Sequence, residues 1–425
     1  MEKTSLSTPL GRITVIDALR GFALLGVVLV HMTQHYGIFS FSDRGISEPL
    51  FPAFDEFVRW LATNVLSGRF INIFSFLFGL SFFIQIDRAK RKGIDFHKRF
   101  VWRMIILLVI GLVGNCFYTA DILPIYAILG IVLVFLSRFK SKVLVVIAAL
   151  LLLGTPRLLM IGYDRLNQTE LVQNSIQRTS EERPSVRPSM QMEKPSFINS
   201  AKNNLTNGME MKMNIQFGKY GRGYLTMALF ILGLIAGRFR FFETVHERKK
   251  RNVLLFIGFT LGTLLIDGLI KLFPAHNVGY FTFMMPNVEV TPSLLIVAML
   301  CDISTVLFSG ALVMGFIICY HLNGIGKYLN VLSPYGRMGL TNYELQNIMG
   351  CLVFSPWAFG SVFGNWGATE VFMLGLAIYV LQIVISRCWL RSFLYGPLEW
   401  LWRSATYLQR QPLKKIQQNI RVYTE

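Results

Sequence analysis

A chain of 425 residues in which 53% of the residues are hydrophobic and only 16% are charged is too apolar to fold as one or two soluble domains. The formal net charge of +18 comes from basic residues grouped in short segments between apolar runs. That grouping is typical of the cytoplasmic loops of a membrane protein and argues against a nucleic-acid partner. We therefore predict an all-α, polytopic bundle of transmembrane helices whose first partner is the lipid bilayer.

The first 160 residues form an N-terminal membrane half, 1–160, with apolar runs long enough to span. Its spans are predicted at residues 13–33, 69–86, 102–118, 122–137 and 142–160. Residues 34–68 mix aromatic and charged side chains, which indicates an outer loop with an interfacial amphipathic piece. Residues 87–103 are densely basic, which places them in the cytoplasm.

Residues 161–221 interrupt this pattern, because they are polar and rich in Asn, Ser, Gln and Met. We expect a partly ordered extracytoplasmic loop there. The C-terminal membrane half, 222–390, precedes a basic, amphipathic cytoplasmic tail, 391–425. The spans of this half are predicted at residues 222–237, 253–272, 293–319, 337–355 and 369–386. About ten spans with both termini in the cytoplasm satisfy the positive-inside rule at every inner loop.

The first predicted span carries three ionisable side chains, Asp17, Arg20 and His31, in an otherwise apolar run. At about 100° per residue all three project from roughly one face of the helix. Because charge within a membrane segment is costly, we expect this face to turn into the bundle, with Asp17 paired to Arg20 and His31 at a polar cavity. A topological anchor is the competing interpretation for Asp17 and Arg20.

Two further polar segments are candidates for chemistry. Asp121 stands at the outer start of the fourth span, where it can cap the helix or serve as a partner for His31. The segment 336–347 is the most polar helical stretch of the chain, and its groups either satisfy one another or line a ligand cavity. The cavity interpretation is favoured because Glu344 needs a cationic or protonated environment. The candidate binding residues of this segment are Arg337, Asn342, Glu344 and Gln346.

Arg99 and Arg103 lie one turn apart where the basic loop enters the membrane, a position suited to the phosphates of a nucleotide-like ligand. Topogenesis alone also explains this loop. The five cysteines show no CxxC spacing, and no Walker, GxGxxG, HExxH or GxSxG motif occurs. We therefore predict no metal site, and ATPase, dinucleotide-binding, zinc-protease and serine-hydrolase functions lose support.

The chain resembles the YeiB-like family of bacterial membrane proteins, which belongs with a broader superfamily of transmembrane acyltransferases. That superfamily includes heparan-α-glucosaminide N-acetyltransferase and the bacterial sugar O-acyltransferases. The match runs along most of the chain and rests on five motifs together. They are Asp17-Ala-Leu-Arg20-Gly21-Phe-Ala-Leu-Leu-Gly26, Phe74-Ser-Phe-Leu-Phe-Gly79, Asp121-Ile-Leu, Gly336-Arg337-Met-Gly-Leu-Thr341-Asn342-Tyr343 and Gly396-Pro397-Leu-Glu399-Trp400-Leu-Trp402-Arg403.

The resemblance implies a bundle of about ten helices in which an acyl group passes from cytosolic acyl-CoA to an acceptor at the outer side. In the sugar O-acyltransferase branch an Arg and a His eleven residues apart on the first helix are functional, and Arg20 and His31 have that spacing here. The sequence departs from its nearer relatives at two points. Those relatives usually carry Asn where His31 stands, and they carry a His shortly before Asp-Ile-Leu, where this chain reads Gly111-Leu-Val-Gly-Asn115.

The leading hypothesis is a multi-pass acyltransferase of the bacterial cytoplasmic membrane, with acyl-CoA as co-substrate and a small-molecule or glycan acceptor. Acyl-CoA would dock on Arg99 and Arg103, His31 would deprotonate the acceptor or carry the acyl group, and Asn342 or Gln346 would stabilise the oxyanion. Acetyl is the acyl group that we expect first. The sequence leaves open whether the protein forms a homo-oligomer. The alternatives are a small-molecule transporter or exporter and an accessory subunit that uses its tail, 400–408, to bind a partner.

Overall fold

In the computed structural model, residues 13–37, 51–175, 195–277, 283 and 290–415 are described. Within these ranges the secondary structure is helical, apart from one isolated β-bridge between Phe393 and Lys414. The helices of the N-terminal half are α1 Thr14–Thr33, α2 Pro52–Leu61, α3 Arg69–Arg91, α4 His97–Asn115, α5 Leu123–Leu136, α6 Ser141–Leu152 and α7 Thr155–Ser175. Two further helices follow, α8 Phe197–Leu205 and α9 Asn207–Phe217.

The remaining helices are α10 Arg222–Arg238, α11 Lys249–Ile270, α12 Pro292–Tyr320, α13 Ile325–Leu329, α14 Leu332–Arg337, α15 Gly339–Phe354, α16 Gly360–Phe363, α17 Ala368–Ser392 and α18 Pro397–Tyr407. Each predicted span therefore coincides with at least one helix, and the all-helical bundle is confirmed. The predicted tail begins as α18, and its last residues, 416–425, lie outside the described ranges, as do residues 1–12 at the other terminus.

The number of spans is the point on which sequence and structure differ. Among the described residues, five continuous helical stretches are long and apolar enough to cross a membrane, and two bent pairs bring the total to seven. One pair is α6 with α7, bent by 53°, and the other is α8 and α9 with α10, bent by 59°. The remaining predicted spans, α4, α5 and α15, fall short because they are short or carry polar residues. Ten spans and cytoplasmic termini therefore stay predictions.

Close helix packing explains why small residues recur in the second predicted span. A Cβ atom on Gly79 of α3 would collide with the carbonyl oxygen of Phe230 on α10, and one on Gly233 would meet the carbonyl of Phe76. Helices associate in membranes largely through such close backbone contact, because lipid and side chains are equally apolar. The α3–α10 pair is consequently a rigid wall of the bundle.

Helix α1 lies at the centre of the bundle and α11 at its edge. Most side chains of α1 are buried, whereas no large apolar side chain of α11 is fully buried and most are exposed, as expected for a helix that faces lipid. The predicted interfacial piece is α2, which exposes Phe54, Phe57 and Trp60. Its buried Asp55 caps α17, because the backbone N–H of Thr369 donates to Oδ1 of Asp55 at 2.8 Å. The centre of the bundle, around α1, is therefore where a site must be sought.

Candidate functional site

A cavity of about 550 Å³ opens at the end of the bundle where α1 and α4 begin and α3 ends. We call it the arginine cavity, because five of its lining residues are arginines. They are Arg20, Arg88, Arg103, Arg337 and Arg403. Its opposite wall is apolar, with Phe74, Phe78, Phe82, Phe100 and Leu107. The volume is within the range of small-molecule sites, and the lining suits a ligand that is anionic at one end and apolar along its length.

Asp17 and Arg20 form one polar side of the arginine cavity. Nη1 of Arg20 donates to Oδ1 of Asp17 at 2.9 Å, and Nη2 donates to Oγ of Ser81 on α3 at 2.6 Å. Asp17 is buried, so the pair is held in one geometry by α1 and α3 together. The pair of the first predicted span thus faces the bundle interior and a cavity, and Ser81 joins it without any signal in the sequence.

Arg103 and Arg403 approach the cavity from α4 and α18. The guanidinium of Arg103 lies over the ring of Trp402, 3.6 Å from the centroid, and Trp402 donates to the carbonyl of Arg103 at 2.8 Å. Nε of Arg103 and Nε of Arg403 are buried, and neither has a hydrogen-bond partner among the described residues. Buried donors without partners are uncommon, and each requires an explanation such as a bound water, an ion or a ligand.

Arg99 does not line the cavity, in contrast to its predicted role beside Arg103. Its guanidinium lies 5.0 Å from the ring centroid of Tyr407 at the surface of α18. The reason is that α18 packs along α4 and separates the two side chains, one on its outer surface and one on the cavity side. Arg337, the other predicted binding arginine, does line the cavity and donates to the carbonyl of Leu394 at 3.3 Å.

Glu399 fixes α18 to the first turn of α15. Its carboxylate accepts hydrogen bonds from the backbone N–H of Leu340 at 2.7 Å and from the N–H and hydroxyl of Thr341 at 3.1 and 2.6 Å. A carboxylate at a helix N-terminus is favoured by both the free N–H groups and the helix dipole. Burial raises the pKa of the Glu399 carboxyl, and the bonds from Thr341 and Leu340 oppose that rise.

The inner end of the arginine cavity is closed by a wall one residue thick. Leu123 and Tyr343 both line the cavity, and both reach the segment behind it. The N–H of Leu123 donates to Oδ1 of Asp121 at 2.9 Å, and the N–H of Ile122 donates to the hydroxyl of Tyr343 at 3.1 Å. Leu123 and Tyr343 therefore connect the lining of the cavity with the segment that carries Asp121.

Behind the wall lies a buried polar group of residues that we call the carboxyl cluster: Asp121, Glu344, Asn115 and Lys212. A Cβ on Gly114 would collide with Oδ2 of Asp121 and touch Oε2 of Glu344, so both carboxyl groups converge over this glycine. Nζ of Lys212 donates to Oδ1 of Asn115 and, at 2.8 Å, to the carbonyl of Asp121. The cationic neighbour that the sequence required for Glu344 is thus a lysine from α9.

His31 lies at the other end of α1 from Arg20, about 16 Å away along the helix at 1.5 Å per residue. Its ring packs against Tyr36 and Tyr118, with centroid distances of 5.3 and 4.9 Å. Tyr118 is three residues before Asp121 and bonds to it through the backbone at 3.1 Å. His31 therefore approaches the carboxyl cluster through Tyr118 and is not part of the arginine cavity.

Asn342 and Gln346 do not line the arginine cavity and belong to a separate network between α14, α15 and α17, so a ligand-binding role for them stays a prediction. Asn342 donates to the carbonyl of Tyr335 at 3.0 Å and to Ser386 at 2.9 Å. Gln346 donates to the hydroxyl of Tyr335 at 2.6 Å and to Gln382 at 3.1 Å. Their amide donors are already used, so their oxyanion role loses its geometric basis. Their amide N–H groups thus follow the other interpretation of this segment, in which polar groups satisfy one another, whereas Oε1 of Gln346 has no partner among the described residues.

The apolar helices indicate a multi-pass membrane protein, and a family comparison adds an acyltransferase-like region. Residues 12–184 match the family model described as "Heparan-alpha-glucosaminide N-acetyltransferase, catalytic", and residues 236–409 match the model described as "Protein of unknown function (DUF418)". The two matches divide the arginine cavity between them, with α1, α3 and α4 in the first and α14, α15 and α18 in the second. Both matches are consistent with the resemblance to the YeiB-like family that the motifs indicated.

Relatives match along nearly their whole length. "Uncharacterized protein YxaH" of Bacillus subtilis (strain 168) is 28% identical over 428 residues, which cover 95% of this chain and 96% of that protein. "Uncharacterized protein YeiB" of Escherichia coli (strain K12) is 24% identical over 413 residues, covering 93% of this chain and 96% of YeiB. A 39.9 kDa protein encoded in the amylase 3′ region of Bacillus acidopullulyticus is 25% identical over 409 residues, covering 95% and 96%.

Proposed function

We propose that the protein transfers an acyl group, foremost acetyl, from acyl-CoA in the arginine cavity to an acceptor at the carboxyl cluster. The observation that carries this proposal is the pair of buried, unpartnered guanidinium nitrogens of Arg103 and Arg403 in a cavity with three further arginines. Guanidinium groups are the preferred partners of phosphate oxygens, and CoA carries several phosphates beside a long, largely apolar arm. The arm would follow the apolar wall towards Tyr343.

The orientation follows from charge. The mouth of the cavity lies at the basic end of the bundle, which the positive-inside rule assigns to the cytoplasm, where acyl-CoA is found. The carboxyl cluster then faces the outer side of the bacterial cytoplasmic membrane, and a small-molecule or glycan acceptor would arrive there. The wall formed by Leu123 and Tyr343 is the place where thioester and acceptor meet.

The transfer needs a group that takes the acceptor's proton. As the acceptor's hydroxyl or amine bonds to the thioester carbon, the carbon–sulfur bond breaks and CoA leaves as a thiolate that is then protonated. The proton passes from the acceptor to the Asp121–Glu344 pair, which adjoins the wall, and from the pair to the CoA thiolate, so the pair returns to its starting state. His31 contacts the cluster only through Tyr118, so we assign the proton to the carboxyl pair and give His31 a supporting position.

The test measures release of free CoA thiol from acyl-CoA by the protein in lipid nanodiscs, with a panel of hydroxyl and amine acceptors. We expect acceptor-dependent release by the wild type and, for Asp121→Asn, a loss of about 100-fold or more, typical of a missing general base. Asp164→Asn is the matched control, because Asp164 pairs with Lys219 on the outer surface at 2.7 Å. Folded wild-type protein that releases no thiol from any acyl-CoA contradicts the proposal and favours transport.

A further inference from the structure

Helices α8 and α9 form a cap that is bonded to the end of α4 beside the carboxyl cluster. Asn115 donates to the carbonyl of Asn204 at 2.9 Å, and Asn204 in turn donates to the carbonyl of Cys116 at 3.2 Å. Thr119 donates to the side chain of Asn204 at 2.5 Å. The cap is therefore fixed to this end of the bundle by specific polar contacts, although it comes from the most polar segment of the chain.

The cap delivers one charged side chain into the bundle. Lys212 is 4% exposed, and its ammonium group bonds to Asn115 and to the backbone carbonyl of Asp121. Taking an ammonium out of water costs several kcal/mol unless opposite charge and hydrogen bonds surround it. The carboxyl groups of Asp121 and Glu344 supply that charge through space, and the direct bonds of the ammonium group go to Asn115 and to a backbone carbonyl.

The carboxyl cluster also has acceptor atoms that the cap does not use. Oδ2 of Asp121 and Oε1 of Glu344 are buried and face no N–H or O–H donor among the described residues, while the two carboxyl groups lie within hydrogen-bond reach of each other. Asp121 is fully buried and Glu344 is 4% exposed. A proton or a donor group of a ligand is what such atoms lack.

The charges of the cluster depend on one another. Two carboxylates and one ammonium leave an excess negative charge, and a single proton on the carboxyl pair makes the cluster neutral. Two buried carboxyl groups beside one cation therefore favour one ionised and one protonated member. The titratable and charged groups that face this cluster come from α1, α4 with its following turn, α9 and α15: His31, Tyr118, Asp121, Lys212, Tyr343 and Glu344.

We propose that Lys212 is a positioning residue for the transfer, which keeps one carboxyl of the Asp121–Glu344 pair ionised and ready to take the acceptor's proton. This inference rests on the proposed function and makes the α8–α9 cap a working part of the transfer site. Without the ammonium group, ionisation of the pair requires a higher pH, because a neighbouring cation stabilises a carboxylate. Lys212 itself bonds to no reacting atom in this scheme.

The experiment compares Lys212→Met and Lys212→Arg with Lys219→Met, a lysine at the end of the same cap that pairs with Asp164 at the surface. Release of CoA thiol is followed across pH, and acetyl-CoA binding is measured in parallel. For Lys212→Met we expect about a tenfold or larger loss at pH 7 and an acid limb moved up by about one pH unit or more, with binding unchanged. Lys212→Arg keeps the charge and should recover most of the rate, and Lys219→Met should match the wild type.

A Lys212→Met protein with the wild-type rate and pH profile overturns the inference. So does a loss that is equal at every pH, since that result assigns Lys212 a purely structural role. Failure of the proposed function gives a different result. A wild-type protein that neither binds acyl-CoA nor releases thiol overturns the proposed function, and the role of Lys212 in transfer is then overturned as well.

Discussion

Arg99 and Arg103 offer a matched pair of substitutions, because they lie one turn apart on α4 and differ in what they face. Arg103 lines the arginine cavity with a buried, unpartnered Nε, whereas Arg99 lies on Tyr407 at the surface of α18. Hydrogen bonds to a charged group contribute about 1.5 to 3 kcal/mol. Replacing Arg103 by Gln should therefore weaken acetyl-CoA binding by about 10- to 150-fold, and replacing Arg99 by Gln should change it by less than about twofold.

The assay is equilibrium binding of labelled acetyl-CoA to protein in nanodiscs at several salt concentrations. Because Arg103 also packs on Trp402, thermal unfolding of each variant is recorded, and Arg403→Gln serves as a second removal of a cavity cation. We expect the Arg103 and Arg403 variants to show weaker binding and a shallower salt dependence, since each has lost a charge that meets phosphate. Equal losses in the Arg99 and Arg103 variants, or none in either, would refute the assignment of the cavity to CoA.

Three further outcomes follow from the contacts. Replacing Glu399 by Ala leaves N–H groups of α15 without an acceptor and should lower the free energy of unfolding by about 1 to 3 kcal/mol. Replacement by Gln should cost less, and an unchanged melting temperature of the Ala variant would contradict the capping role of Glu399. His31→Ala should reduce thiol release less than Asp121→Asn does. A larger loss for His31→Ala would instead assign the role of proton acceptor to His31. Gly79→Ala should reduce the yield of folded protein, whereas Gly258→Ala, where a Cβ meets open space, should not.

Local sequence patterns were sufficient for the helices and for the nearest polar pair. Hydrophobic runs placed a helix at every predicted span, and the spacing of Asp17 and Arg20 correctly put the two side chains in contact. The bend after α6 also has a local cause, because Gly154 adopts a positive φ of 70° and precedes Pro156. The apolar runs do not show how far a short helix reaches across the membrane. For this reason the number of spans could not be predicted as reliably as the positions of the helices.

The residues that were missed depend on partners far away in the chain. A lysine in a polar segment normally faces water, and only the docking of α9 on α4 buries Lys212. Likewise, the helical pattern aligns Asn342 with Gln346 but does not say that α17 stands opposite and uses their amides. The separation of Arg99 from Arg103 depends on α18, about 300 residues later, where Arg103 lies over Trp402 beside the cavity and Arg99 lies over Tyr407. Periodicity defines a face, and tertiary packing decides what that face meets.

The most direct measurement is an experimental structure of the protein determined with acetyl-CoA in lipid nanodiscs. The account predicts that the phosphates lie against Arg103 and Arg403 and that the thioester reaches the wall at Leu123 and Tyr343, with Asp121 behind it. Ligand density outside the arginine cavity, or none at saturating acetyl-CoA in a folded protein that otherwise matches this fold, would contradict it.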